Sequence, residues 1–347
     1  MWTLDLGHQL SVTPAYAGSH AYFALDDNQI AAYDLSAGTR EWVASGRPLL
    51  PLATGSNLVY VVEIDQLRAL AATDGHVAWQ LPLTTGLSAA PVWDNGWLVL
   101  TTQEGDIIAL RATDGQVIWR RTLASRPGIS AGLAADRVYV AAEDGQITAL
   151  RVDTGATVWT SSVGGKPTGL LALDDRLFVG STDNFFYSVS AANGKWDWRW
   201  RTGADVVGVP VVDEQNVYFV SLDNVLRALG RRNGVQQWVR PLPLRPLRGP
   251  ITAGASLIVT GVAPTLRAYK VSDGTPAGEL TTDGELAAPA YDIPGIALPT
   301  LLVLTRNLAN GATATLYRRQ IEPAPTALVP LKNLVVLPPA QETAIRP

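Results

Sequence analysis

The sequence predicts an all-β fold: an eight-bladed β-propeller of four-stranded antiparallel blades, its ring closed by the N-terminal strand. Three observations predict it. A segment ending in Trp returns about every 40 residues. Within each return apolar and polar residues alternate with period two, as in "RVYVAAEDGQITALRV" (137–152), which marks short strands. Turn glycines after Asp, Asn or Thr recur in register between the strands. Four strands per unit at this period make a blade, because a small twisted sheet buries both faces only by stacking on neighbours around an axis.

The copies align without gaps. AYDLSAGTREW (32–42), ALAATDGHVAW (69–79), ALRATDGQVIW (109–119) and ALRVDTGATVW (149–159) end on Trp42, Trp79, Trp119 and Trp159. SVSAANGKWDW (188–198) and ALGRRNGVQQW (228–238) end on Trp198 and Trp238, whereas AYKVSDGTPAG (268–278) has Gly278 in the Trp position. The glycine of TDG, DTG, ANG, RNG and SDG is placed between third and fourth strands, where a tight hairpin demands positive φ. Turns between first and second strands are expected at Asp26-Asp27, Asp94-Asn95-Gly96, Asp174-Asp175 and Asp213-Glu214. Each Trp, on an outermost strand, is expected to fill the gap between blades and donate its indole N–H to a neighbouring carbonyl. Small residues on the third strand, Ala69, Ala109, Ala149 and Ala228, leave room for it.

Closure follows from the ends. Trp2 stands one period before Trp42, so residues 2–6 read as an outermost strand, the seventh such docking position. A degenerate eighth copy, from about Leu286 to Arg319, supplies three inner strands and no fourth, and residues 2–6 complete it. One domain is therefore expected over 1–320. A start inside a repeat predicts a trimmed mature domain with an added start Met, and Met1 to Leu6 shows no basic region followed by an apolar one, so no signal peptide is expected in it. Residues 321–347, rich in Pro, read as an extended tail that runs back across the propeller or docks on a partner.

Composition narrows the function. With 47% hydrophobic residues, 31 Gly and 23 Pro, the chain is folded and rich in turns. A net charge of −4 gives no global attraction to nucleic acid or anionic lipid, so neither is expected as a partner. The absence of Cys excludes disulfides, thiolate metal sites and a Cys nucleophile. The longest apolar stretch, 295–304, is far short of the roughly 20 residues of a membrane helix. His8, His20 and His76 show no metal spacing, and GxGxxG, P-loop and GxSxG motifs are missing. Loops are short and alike from blade to blade, whereas a propeller enzyme breaks its symmetry where its chemistry sits. No catalytic, cofactor-binding or metal-binding residue is expected, and no cofactor.

The string AxDxxTGxxxW, met most fully at 32–42 and 149–159, resembles the repeat of the quinoprotein (PQQ) propeller family and its tryptophan-docking motif, over about residues 2–320. That family has two branches. One consists of PQQ-dependent dehydrogenases, which set a vicinal Cys pair against the cofactor and a Glu/Asn/Asp group on calcium. This chain has no Cys for the first. The other consists of cofactor-free scaffolds of the BamB type, lipoproteins of the outer-membrane β-barrel assembly machinery. The resemblance implies a non-catalytic protein-protein interaction scaffold of the bacterial cell envelope, periplasmic or anchored at the outer membrane and monomeric by itself, with that machinery as partner. Two alternatives stay open: a PQQ- or small-molecule-binding quinoprotein-like enzyme, and a sensor domain cut from a larger receptor.

Two stretches offer candidate contact surfaces. In "KWDWRWRTG" (195–203) alternation puts Trp196, Trp198 and Trp200 on one face and Asp197, Arg199 and Arg201 on the other. Trp196 and Trp200 either extend the packing of Trp198 or form an aromatic and Arg ledge. In "RPLPLRPLRGP" (240–250) prolines stiffen a crossing that presents Leu242, Leu244, Arg245, Leu247 and Arg248. BamB-type scaffolds are similar in using an LxLR string to meet the periplasmic domains of the barrel-assembly protein, and Leu242-Pro243-Leu244-Arg245 fits it. The alternative is a linker whose leucines tuck into the rim. Arg68, Arg111, Arg151, Arg227 and Arg267, recurring on third strands, read as partners of acidic turns.

Overall fold

The structure, a computed structural model, describes residues 2–294, 300–307 and 311–318. Seven sheets each contain four strands consecutive in sequence, paired antiparallel in sequence order: blades 1 (15–45), 2 (53–82), 3 (92–122), 4 (132–162), 5 (167–201), 6 (206–241) and 7 (251–281). The eighth blade is stitched from both ends of the chain. Glu285–Leu286 and Tyr291–Asp292 pair with Thr300–Asn307, which pairs with Gly311–Arg318, and Thr3–Asp5 completes the sheet. The register there is Thr3 opposite Thr315 and Asp5 opposite Thr313. The ring is closed on its inner side by Tyr16 of blade 1 stacked on Tyr291 of blade 8, with centroids 4.1 Å apart, while the Tyr291 hydroxyl donates to the Gly18 carbonyl. The expected eight-bladed propeller is thus the observed architecture. The expected tail, 321–347, lies outside the described residues.

The core is divided by the seams. Each seam between neighbouring blades holds one buried apolar cluster, such as Tyr22, Trp42, Leu52, Val59 and Leu70 between blades 1 and 2 and Phe178, Phe186, Val206, Val217 and Phe219 between blades 5 and 6. Strand alternation explains this, since each blade sends alternate side chains to its two neighbours.

Each repeat Trp crosses its seam in the same way. The indole N–H donates to a backbone carbonyl of the next blade: Trp2 to Leu35 (3.0 Å), Trp42 to Ala72 (2.8 Å), Trp79 to Ala112 (3.0 Å), Trp119 to Val152 (2.7 Å), Trp159 to Ala191 (2.8 Å), Trp198 to Arg231 (3.3 Å) and Trp238 to Val271 (3.0 Å). The acceptor always lies three residues before the glycine of the following turn, and the ring lies on that glycine. At Gly75, with φ 76°, a Cβ would come 2.6 Å from Trp42 Cε3. The glycine thus serves twice, giving the turn its left-handed backbone and the indole a bare surface. The residue before it caps the turn: the Asp74 carboxylate accepts from the His76 N–H at 3.0 Å, and the Asn193 side chain from Lys195 N–H at 3.0 Å.

One turn differs from expectation. Asp26-Asp27 joins the second and third strands of blade 1, with Asn28 at φ 64°, and the first and second strands meet at Gly18-Ser19. The inner strand of that blade is only Ala15–Ala17, so the whole pattern falls earlier than the hydrophobic alternation suggests. The recurring arginines do meet carboxylates: Arg68 reaches Glu63 at 2.7 Å, Arg227 reaches Asp223 at 2.5 Å, and Arg111 and Arg151 reach Asp114 and Asp153, each at 2.9 Å. Arg267 instead pairs across strands with Glu279 at 2.6 Å.

Candidate functional site

The inner strands of blades 1 to 7 lose their regularity at blades 5 and 6. Most inner strands have three residues, but those of blades 5 and 6 are Pro167–Ala172 and Val206–Val212. The sequence VVGVPVV (206–212) explains the second: pairing with the next strand lapses between Val207 and Val211, Gly208 adopts φ 67°, and Pro210 has no N–H to give a ladder. This bulge pushes Val209 outward, where it is 49% exposed.

Two inner strands and the crossing that leads into a third touch backbone to backbone around the bulge. A Cβ at Gly169 would collide with the Gly208 carbonyl, one at Gly208 with the Gly249 N–H, and one at Gly249 with the Val209 carbonyl. The result, on the axial side of blades 5 to 8, is an open apolar groove of about 630 Å³ whose walls include Val207, Val209, Leu247, Arg248, Ile251 and Pro289. Leu247 and Arg248 also border a smaller hollow of about 200 Å³ beside Val262 and Glu285. Leu247 is 54% exposed and Val262 68%.

The Pro-rich crossing therefore splits into two halves. Leu242 is 6% exposed and packs with Tyr218, Leu226 and Leu257, and Leu244 is half-buried against the same cluster and Gly261. Leu242 is thus a core residue and not a contact residue, because the chain enters the crossing still hydrogen-bonded to blade 6 through its N–H to the Asn224 carbonyl at 2.7 Å. Arg245, Leu247 and Arg248 are exposed, and Leu247 and Arg248 line the groove.

The Trp-rich strand departs from simple alternation. A bulge opposite Ser188 and Val189 inserts Asp197 between Trp196 and Trp198, so the two indoles face opposite seams. Trp198 and Trp200 pack toward blade 6 with Phe178 and Phe186. Trp196 turns toward blade 4, donating to the Ser162 carbonyl at 3.0 Å, 5.1 Å from the Tyr187 ring and 44% exposed. The Arg199 guanidinium lies over both Trp196 (5.2 Å) and Phe185 (4.7 Å). Neither Trp196 nor Trp200 lines the groove.

The electrostatics below the groove are structural. Asp223 is partly buried, which would raise its pKa, but hydrogen bonds from Arg227, Ser221 (2.6 Å) and the Gly203 N–H (2.9 Å) outweigh this and hold it below the ordinary Asp range. Among the described residues no three His, Asp or Glu side chains are gathered in a way that could hold a metal ion, and no helix is long and apolar enough to cross a membrane.

Sequence reading missed a tyrosine beside the indole in four blades. Tyr22, Tyr60, Tyr139 and Tyr218, on second strands, each stand 5.7–5.9 Å from the Trp of their own blade. Its signal was the recurring Val-Tyr in VYVV, VYVA and VYFV.

The family model described as outer membrane protein assembly factor BamB matches residues 63–173 and again 149–288. No curated protein sequence matches. Among solved structures, BamB from Moraxella catarrhalis superposes with a TM-score of 0.70 at 19% identity, covering 92% of this chain and 99% of that one. A computationally designed protein, Ika8, gives 0.76 at 12% identity over 89% and 96%. Quinohemoprotein alcohol dehydrogenase from Comamonas testosteroni gives 0.70 at 14% identity over 93% and 77%. At such identities the likeness is one of fold.

Proposed function

Since the chain belongs to the family described as outer membrane protein assembly factor BamB, we propose that it is a non-catalytic scaffold, monomeric by itself, that holds protein partners of the outer-membrane assembly machinery in the periplasm or at the outer membrane. The observation that carries the reading is the groove at blades 5 to 8. There the repeat is broken to leave Val209 and Leu247 in solvent beside Arg248, and an apolar center with an arginine at its edge is how protein hot spots are composed. The surface suits a partner segment that inserts an apolar side chain and carries a carboxylate next to it. Arg245, on the same crossing, adds positive charge.

The test is capture of the purified periplasmic domains of the barrel-assembly protein by the full chain. Retention by the wild type and loss with Leu247→Asp or Arg248→Glu supports the reading; retention unchanged by both substitutions removes the groove from it, and no retention by the wild type removes the partner. The enzymatic alternative predicts an absorbance change on titration with PQQ, and none is expected.

A further inference from the structure

In two blades the residue that opens the second strand reaches across the seam to the carbonyl that docks the indole. Arg137 of blade 4 donates to the Ala191 carbonyl beside Trp159, and Arg176 of blade 5 to the Arg231 carbonyl, at 2.6 Å, beside Trp198. A carbonyl oxygen has two lone pairs and accommodates both donors. The same Arg176 nitrogen stands 3.6 Å from the carboxylate of Asp197, the bulge residue before Trp198.

Blade 1 has the same frame without the arginine. Strand register sets His20 where Arg176 stands, Trp42 where Trp198 stands, and Glu41, also at a bulge, where Asp197 stands. The bulge residues of the other blades from 2 to 7 are Ala78, Ile118, Val158, Gln237 and Ala277, so a carboxylate occurs at this place only in blades 1 and 5. The matching carbonyl is that of Ala72, which accepts from Trp42 at 2.8 Å and, among the described residues, from no other side chain. The shorter His20 imidazole stops at Glu41, with Nε2 3.4 Å from Oε1. What an arginine fills in blades 4 and 5 is here an open hollow of about 590 Å³, with Tyr22, Glu41, Leu58, Ala72 and Trp93 in its wall.

We propose that this hollow binds a guanidinium on an alkyl stem, the ligand standing in for the arginine that blade 1 lacks. Its N–H groups donate to the Ala72 carbonyl and the Glu41 carboxylate, as Arg176 donates to the Arg231 carbonyl beside Asp197. Its methylenes lie on the apolar surface of Tyr22, Leu58 and Trp93. A planar fork of donors serves a carbonyl and a carboxylate at once, whereas an ammonium is a compact point charge that holds its water. The inference is independent of the scaffold reading. The stem belongs either to an arginine of a polypeptide or to a small alkylguanidine, and two probes separate these sources.

Saturation-transfer NMR titrations of the full chain test it. Propylguanidinium should bind the wild type in the millimolar range, and butylammonium, of equal charge, at least about tenfold more weakly. Glu41→Gln should weaken propylguanidinium at least about tenfold, the worth of one charge-assisted hydrogen bond. His20→Arg should abolish its binding, because the slot then fills from its own strand as in blade 5. Binding unchanged in either variant, or butylammonium binding as well as propylguanidinium, overturns the proposal. So does a wild type that binds neither propylguanidinium nor the capped peptide acetyl-Ala-Arg-Ala-amide. Peptide that binds more tightly than propylguanidinium and displaces it assigns the site to an arginine of a polypeptide; peptide that binds more weakly assigns it to a free alkylguanidine.

Discussion

Trp159 and Gly194 form one unit across the seam of blades 4 and 5: the ring lies so close to the turn that a Cβ at 194 would come 2.5 Å from Cε3, while the indole N–H donates to the Ala191 carbonyl at 2.8 Å. The two residues should therefore be coupled. Trp159→Phe is expected to cost about 1 kcal/mol, the worth of a hydrogen bond, and Trp159→Ala about 3–5 kcal/mol. Gly194→Ala should cost more in the wild type than in the Trp159→Ala background, where only the left-handed backbone penalty of about 1–2 kcal/mol remains. Urea unfolding of the four proteins checks it, and additivity would refute the coupling.

The two halves of the Pro-rich crossing should separate by assay. Leu242→Ala is expected to lower stability by about 2–5 kcal/mol, because its side chain fills the core cluster of blades 6 and 7. Leu247→Ala should stay within about 0.5 kcal/mol of the wild type, since 54% of it is already in water. Partner capture should respond in the reverse order at matched folded concentration.

Asp223 gives the fold a pH dependence of known sign. Its folded pKa lies below the unfolded value, so it stabilises fully above about pH 4 and the contribution is lost as pH falls through the folded pKa. Asp223→Asn should lower stability at neutral pH and flatten the acid limb of a plot of urea midpoint against pH. An acid limb parallel to that of the wild type would show that Asp223 does not carry it.

Two glycines with similar backbones should differ in cost. Gly96→Ala meets nothing within 4 Å at φ 83° and should show only the backbone penalty of about 1–2 kcal/mol. Gly208→Ala, at φ 67°, drives its Cβ into the Gly249 backbone and should cost clearly more while weakening partner capture through the displaced Val209. Thermal unfolding of the pair beside the capture assay checks both.

The ring was legible because its information is repeated: the spacing of Trp2 through Trp238, the period-two strands and the turn glycines all specify the same blade, and residues 2–6 fit the one blade left incomplete. What escaped depends on a one-residue displacement. A bulge at Asp197 sends Trp196 to the opposite face from Trp198, where strict alternation places them together. The groove escaped for a similar reason, since VVGVPVV reads as an ordinary strand until Gly208 and Pro210 are weighed as bulge residues. The burial of Leu242 was hidden because a Pro-rich string looks alike whether its leucines face a core or solvent.

The pairing of Thr3 with Thr315 also sets an order in time. Blades 1 to 7 are each made of consecutive chain and can form as local units, but Thr3–Asp5 must wait for Gly311–Arg318, on the far side of all seven of them in the sequence. Until then both rims of the gap expose unpaired strand edges. Completion is therefore a single late step, and a chain that stops short of Thr313 is expected to remain an open crescent with adhesive ends.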